Sequence, residues 1–453
     1  MARKRRFELS TTQIILLSFL LAILAGSLLL SLPIATRSGQ GVPYIDALFM
    51  ATTATCVTGL VTSVTLTTWS IFGQAVILLL IQIGGLGIIT VMAGLMVAIN
   101  RKMGLRDSLL IQDSFNLSSL SGLAKFVKRV ILGTFIVEGL GALMYMPVFV
   151  RDFGLRGIWV SVFNSISAFC NAGIDIIGDN SLCNYATSPL VNGVTMMLII
   201  TGGIGFIVWW DLIRVWGDIR AHRGHWFRRL TLHSKVVLTS TAVLIFGGAL
   251  AILAFEYNNP ATIGEMSLFD KIQASLFQSV TTRTAGFAAV PQENLTNPSA
   301  ILSLLLMFIG GSPVGTAGGI KTVTMFVLIA TAISATGNRS EVTLFQRRLS
   351  VQVARKAVAV CGMSFAIMFL STVLLSAATD ARALDIVYET VSATATVGLS
   401  WGITPTLDLW GKLIIIFTMY FGRIGPVSLA VAFQIKNQSQ NSILDPIEDI
   451  AVG

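Results

Sequence analysis

Apolar residues gather in long runs along this chain, and the runs recur in a fixed order. A run at about 13–32 ends at Pro33. A short, mostly apolar segment at 44–55 follows, then Cys56-Val57-Thr58-Gly59-Leu60, then a second long run at about 73–99. The next cycle has runs at about 126–149 and 190–213 around a short segment at 158–169. The third has runs at about 235–256 and 299–334 around 268–280, and the fourth runs at about 356–378 and 409–434 around 383–391. A helix crossing a bilayer needs roughly 20 apolar residues. The pattern therefore predicts eight full spans, with a short helix and a loop inside each pair.

The loops carry single glycines at Gly59, Gly173, Gly286 and Gly398, spaced 114, 113 and 112 residues apart. The second run of each pair carries another glycine at Gly84, Gly202, Gly310 and Gly422. A repeat of this length sets the fold before any local reading does. Its units are 1–100, 101–218, 219–335 and 336–453, each a span, a pore helix, a loop and a span. The predicted fold is an all-α integral membrane protein with pseudo-fourfold symmetry about one central pore.

Composition agrees. Of 453 residues, 54% are hydrophobic and 12% charged, with mean hydropathy +0.79. A soluble domain carries about a quarter charged residues, so soluble enzyme folds drop out. No Ser/His/Asp set or metal-ligand cluster suggests an enzyme. The net charge of +9 does not point to nucleic acid, because 22 of the 31 Lys and Arg fall in the N-terminus, three alternate loops and Lys436. That asymmetry predicts a multi-pass protein of the cytoplasmic (inner) membrane with both termini in the cytoplasm. The first run is too long for a signal-peptide core of roughly 7–15 residues and reads as a retained span. Cys56, Cys170, Cys183 and Cys361 have no metal-ligand spacing, and His222, His225 and His233 fall in a basic loop.

Thr396-Val397-Gly398 repeats the start of the TVGYG filter of potassium channels, whose carbonyls replace the hydration shell of the ion. Irregular backbone at membrane depth survives only where it is buried in protein or lines water. Four such loops would line one pore, each glycine permitting the positive φ that turns carbonyls inward. The candidate potassium ligands are Val57, Thr58 and Gly59; Asn171, Ala172 and Gly173; Thr284, Ala285 and Gly286; and Thr396, Val397 and Gly398. Glycines serving only helix packing would not require a short helix before each loop. No loop continues into Tyr-Gly, so fewer ion sites and looser potassium-over-sodium discrimination are expected.

Thr58-Gly59-Leu60, Asn171-Ala172-Gly173, Arg283-Thr284-Ala285-Gly286-Phe287, Thr396-Val397-Gly398-Leu399, the run Gly310–Lys321 and Gly422-Arg423 together resemble the Trk/Ktr/HKT superfamily of potassium transporters. Among these the chain is most similar to the membrane subunits of bacterial Ktr systems (KtrB type), over essentially its whole length. Cys170 stands where Asn is expected in many relatives. The resemblance implies potassium uptake with sodium-dependent activation, a homodimer with one pore per subunit, and a KtrA-like cytosolic ring that binds ATP or ADP. The chain itself is expected to bind no cofactor. The resemblance also implies an intramembrane gate loop, carried here by Gly310, Gly311, Ser312, Pro313, Gly315, Thr316, Gly318, Gly319 and Lys321. A kinked helix without a gating role is the alternative. A sodium/potassium symporter, or a less selective monovalent cation channel, is the other functional reading.

Three charged positions stand out. Arg423 replaces glycine within an apolar run, where an unpaired charge costs ~2.5–3.5 kcal/mol on insertion scales. It is expected to hold the gate loop closed, or else to pair with Glu138. Arg283 is expected behind the filter, bracing it through Glu389 or Asp270. Asp46 and Asp385 each precede their loop glycine by 13 residues and are expected to cap short helices or enrich cations. Gly315–Thr322 lacks the glycine before lysine that a phosphate-binding loop needs.

Overall fold

The structure is a computed structural model describing residues 11–98, 123–219, 226–337 and 341–425. Leaving aside single turns, the first repeat contains α1 (Thr11–Leu30), α2 (Tyr44–Cys56), α3 (Ile71–Leu86) and α4 (Ile88–Ala98). The second contains α5 (Leu123–Phe153), α6 (Arg156–Phe169), α7 (Pro189–Gly203) and α8 (Phe206–Ile219). The third contains α9 (Leu232–Glu256), α10 (Leu268–Thr281), α11 (Asn297–Phe308) and α12 (Thr322–Thr336). The fourth contains α13 (Val351–Ala378), α14 (Ala383–Ala395) and α15 (Leu409–Ile424). A two-residue hairpin, Thr343–Leu344 with Arg347–Arg348, precedes α13.

Among the described residues, four unbroken helices are long and apolar enough to cross a membrane: α1, α5, α9 and α13. These open the four repeats. The second apolar run of the first three repeats is not one helix. It breaks at Gly87 (φ 83°) and at Gly205 (φ 89°), and in the fourth repeat the described helix ends at Gly425 (φ 88°), each three residues after the first glycine of its pair. At Gly205 the halves α7 and α8 meet at 98°. In the third repeat Pro313 holds that place, and the chain leaves the helix from Ile309 to Lys321. Apolar runs cannot reveal these breaks, because the breaks do not interrupt hydropathy. A left-handed residue interrupts the helix itself, and glycine adopts that conformation without the Cβ penalty.

Polarity is inverted relative to a soluble protein. Leu21, Phe246, Leu250 and Phe369 on the long outer helices are exposed, while Thr52, Thr53, Thr55 and Thr58 around the first loop are buried. Lipid is as apolar as leucine, so no force draws the outer face inward. Three of the four short helices carry a capping hydroxyl or an acidic group at their starts. Ser267 accepts from Asp270 N–H and donates to its carboxylate, and an acid sits in the first turns of α2 and α14, where the helix dipole favours it. The fourth short helix runs four residues beyond the expected 391.

Successive repeats interlock. Trp159 Nε1 donates to Gln74 Oε1 at 2.9 Å, Gln273 Nε2 to Ala186 O at 3.0 Å, and Tyr388 O–H to Gln292 Oε1 at 3.2 Å. The fourth repeat returns to the first through Lys412 Nζ and Asp46, 2.7 Å apart. The chain thus closes into a ring.

Candidate functional site

Each short helix stops just before its loop, and each loop turns in the same way. A left-handed residue comes first: Val57 (φ 55°), Asn171 (58°), Thr284 (63°) and Thr396 (51°). One residue without positive φ follows, then a left-handed glycine: Gly59 (101°), Gly173 (64°), Gly286 (80°) and Gly398 (100°). Positive φ is unfavourable for β-branched Val and Thr, so recurrence at four aligned positions marks a shared constraint rather than chance.

The loops meet at one axis. A Cβ on Gly59 would stand 2.6 Å from Ala172 O, and one on Gly173 would stand 2.6 Å from Ala285 O. Likewise Gly286 faces Val397 O and Gly398 faces Thr58 O. Each glycine thus lies against the carbonyl oxygen of the next repeat, in cyclic order, and no side chain larger than hydrogen fits. Eight of the twelve candidate residues meet here, the four glycines with Thr58, Ala172, Ala285 and Val397, while side-chain atoms of Val57, Asn171, Thr284 and Thr396 lie against Gly84, Gly202 and Gly318. Outside the ring lies a cavity of about 260 Å³ lined by the four glycines and by Asp175, Asp179 and Glu293, with no Lys or Arg in its wall.

On the other side lies the segment Ile309–Lys321. Its ends pair where Gly310 N donates to Ile320 O at 2.9 Å and Thr322 N to Gly311 O at 3.0 Å. Its middle enters the break between α7 and α8. Ser312 N donates to Gly203 O (2.9 Å) and Thr316 N to Gly202 O (3.1 Å), and Phe206 N donates to Val314 O (2.9 Å). A broken helix leaves carbonyls and N–H groups without partners, and this segment supplies them. Its upper side touches the loops. Thr316 Oγ1 donates to Phe169 O at 2.9 Å, and Gly318 N donates to Thr284 Oγ1 at 3.1 Å. Arg423 fastens it from the far side, donating to Thr316 O at 2.7 Å and to Gly84 O.

Residues 4–444 match the TrkH family, described as a cation transport protein. The chain belongs to the TrkH family. That family consists of transporters, not enzymes. The chain is 39% identical over 94% of each chain to the Ktr system potassium uptake protein B of Bacillus subtilis. It is 34% identical, over 100% of its own length and 99% of the relative's, to the potassium/sodium uptake protein NtpJ of Enterococcus hirae. The crystal structure of the potassium transporter TrkH from Vibrio parahaemolyticus superposes with TM-score 0.74 over 96% of this chain and 86% of that one, at 17% identity, which establishes the shared fold.

Within this TrkH fold, several charged residues have other partners than expected. Arg423 bonds two peptide oxygens and does not pair with Glu138. Glu138 instead accepts from Gln82 Nε2 at 3.1 Å and meets Cys170 Sγ at 3.8 Å, behind the second loop. Arg283 does not reach Glu389 or Asp270. It donates to Thr241 Oγ1 at 3.3 Å, and its buried Nε has no partner. Glu389 is held by Ser400 at 2.7 Å and by Thr404, and Asp270 by Ser267. Asp46 and Asp385 do not cap, since Pro43 and Arg382 hold the cap positions. Asp46 pairs with Lys412, and Asp385 with Arg382 at 3.4 Å. His233 lies on α9 rather than in a loop, while His222 and His225 fall outside the described residues. So do much of the N-terminus and basic loops, and the stretch after Gly425.

One repeated feature escaped the sequence reading. A hydroxyl in or beside the last turn of each short helix ties down its loop. Thr53 Oγ1 accepts from Gly59 N and Ser392 Oγ from Gly398 N, both at 3.0 Å. Ser167 Oγ donates to Ile174 O at 2.5 Å, and Thr281 Oγ1 to Phe287 O at 2.6 Å. The signal was present as a Ser or Thr six residues before three of the glycines and five before the third. It was hidden by the abundance of hydroxyls in these helices.

Proposed function

We propose that this TrkH-family chain takes up potassium across the cytoplasmic membrane through the ring formed by its four loops. The cation would enter the acidic outer cavity, lose water to carbonyls of Val57–Gly59, Asn171–Gly173, Thr284–Gly286 and Thr396–Gly398, and pass a gate made by Gly310–Lys321 and Arg423. The observation that carries the reading is the fourfold recurrence of a left-handed residue, one residue and a left-handed glycine at the end of a short helix. Such a ring offers oxygen dipoles without fixed charge, which suits a dehydrated monovalent cation. The gate reading is supported by the segment's seat in the α7–α8 break, directly under the loops. Regulation by a cytosolic nucleotide-binding ring, assembly as a homodimer, and sodium activation are proposed from similarity to the Ktr system protein. Potassium is the substrate, and ATP or ADP would bind the ring.

A second reading has a specific support: the relative named a potassium/sodium uptake protein aligns over the whole chain. Weak discrimination between the two cations would follow from loops with one glycine each, and a sodium/potassium symporter is the other form of this reading. Rubidium uptake by purified protein in liposomes, with competing sodium and with or without the ring, tests the main reading. Absence of uptake under every condition would overturn it. Reversal potentials measured while sodium and potassium are varied separate conduction from fixed coupling.

A further inference from the structure

A cavity of about 180 Å³ opens at the seam between the third and fourth repeats, beside the gate segment. Phe308, Val360, Ile367 and Phe421 form much of its apolar wall, and Ser364, Thr394 and Lys321 contribute the polar part. It is comparable to an engineered apolar cavity of about 150 Å³ that takes up benzene, so it admits several carbons of a chain whose remainder stays outside. Val360 and Ile367 belong to α13, a helix long and apolar enough to cross a membrane, whose neighbouring side chains Phe365 and Phe369 are exposed. The cavity therefore lies beside hydrocarbon.

Among the described residues, Lys321 is the only charged one in its wall. Its Nζ donates to Ala317 O at 2.6 Å, which ties the end of the gate segment to its middle. Among the described residues no carboxylate pairs with it. It also precedes α12, whose first turn has no side-chain cap, so the positive end of that helix adds to the same field. An apolar cavity with one unneutralised ammonium at membrane depth matches an amphiphilic anion.

We propose that this cavity binds the carboxylate and adjoining methylenes of a long-chain fatty acid from the bilayer, and that binding loosens the gate segment. The carboxylate takes the Lys321 ammonium as its partner and competes with Ala317 O for it. The segment then loses the contact that closes its Ala317–Lys321 turn. No bond is made or broken beyond hydrogen bonds. The proposal rests on reading Gly310–Lys321 as a gate.

The test is rubidium uptake in proteoliposomes with oleate or with uncharged methyl oleate, alongside labelling by a photoreactive fatty acid read by peptide mass spectrometry. Oleate should raise uptake by about fivefold or more, the lower range of allosteric coupling, and methyl oleate should not. Lys321→Arg should keep the response. Lys321→Met and the cavity-filling Val360→Trp should lose it, and Val360→Trp should also lose label at residues 308–321 and 360–367. Equal action of oleate and methyl oleate, a response that persists in both Lys321→Met and Val360→Trp, or label elsewhere only would overturn the proposal. Specific label without rubidium uptake in any variant would support the site while overturning the transport reading.

Discussion

Both hydrogen bonds of Arg423 go to peptide oxygens, one on the gate segment and one at the end of α3. A hydrogen bond to a charged group contributes ~1.5–3 kcal/mol. Arg423→Ala should therefore favour release of the segment and raise rubidium flux by about tenfold or more, since each 1.4 kcal/mol is a factor of ten. Unchanged flux and unchanged regulation would show that Arg423 is only a structural clamp. Asp175 works on the other side of the ring. Burial pushes its carboxyl above the usual carboxylate range, against the opposing hydrogen bonds of Ser181, Ile177 and Gly178. It shares the cavity wall with Asp179, Glu293 and Cys183. A raised acid gives up its negative charge earlier as pH falls. Uptake from dilute rubidium should accordingly decline as the outer pH falls, beginning above the range where an ordinary carboxylate titrates, and Asp175→Asn should flatten that decline. A wild-type profile matching the variant would refute this role.

At the scale of the element, the helix breaks divide into two kinds. Among the described residues, a Cβ on Gly425 meets nothing within 4 Å, and on Gly87 only Thr90 Oγ1 at 3.8 Å, whereas on Gly205 it would enter the space of Pro313 in the gate segment. Gly87→Ala should then cost only the backbone strain of an alanine held at φ 83° and ψ 135°, a region that favours glycine, about 1–3 kcal/mol, seen as a lower Tm with little change in flux. Gly205→Ala carries the same strain and also unseats the segment, so its flux should rise. Equal flux in the two variants would separate the break from the gate. The short helices and their hydroxyls form a second elemental unit. Thr53→Val removes the acceptor of a buried Gly59 N–H, which costs ~1–3 kcal/mol when left unpaired. The first loop should loosen, and sodium should compete more strongly with rubidium than in the wild type.

For the whole molecule, the ring closes only if the fourth repeat finds the first. Lys412 and Asp46 make that contact with side chains 15% and 20% exposed. Exposed ion pairs contribute ~0.2–1 kcal/mol, and less exposed ones more when one partner is removed. Lys412→Met should lower Tm in detergent, and Lys412→Met with Asp46→Asn should recover part of the loss. If the double variant is no better than the single, the contact does not join the repeats. The same ring explains why four unlike loops suffice. Each glycine is confined by the carbonyl of the next repeat, so substitution in any loop reaches its neighbour.

Hydropathy and spacing by themselves determined the all-helical membrane fold and the short helix before each loop glycine, because burial in lipid and a period of about 113 residues are properties of the linear chain. They also marked Arg423 and the glycine-rich segment as anomalies. Only the tertiary structure decided what those residues touch. The breaks at Gly87 and Gly205 and the helix end at Gly425 depend on the sign of φ, which an apolar run does not encode. The partners of Arg283, Glu138 and Asp46 lie on other elements, up to 366 residues away along the chain. A buried charge needs some partner, and the sequence states that need. Which peptide oxygen or hydroxyl meets it depends on the ring having closed.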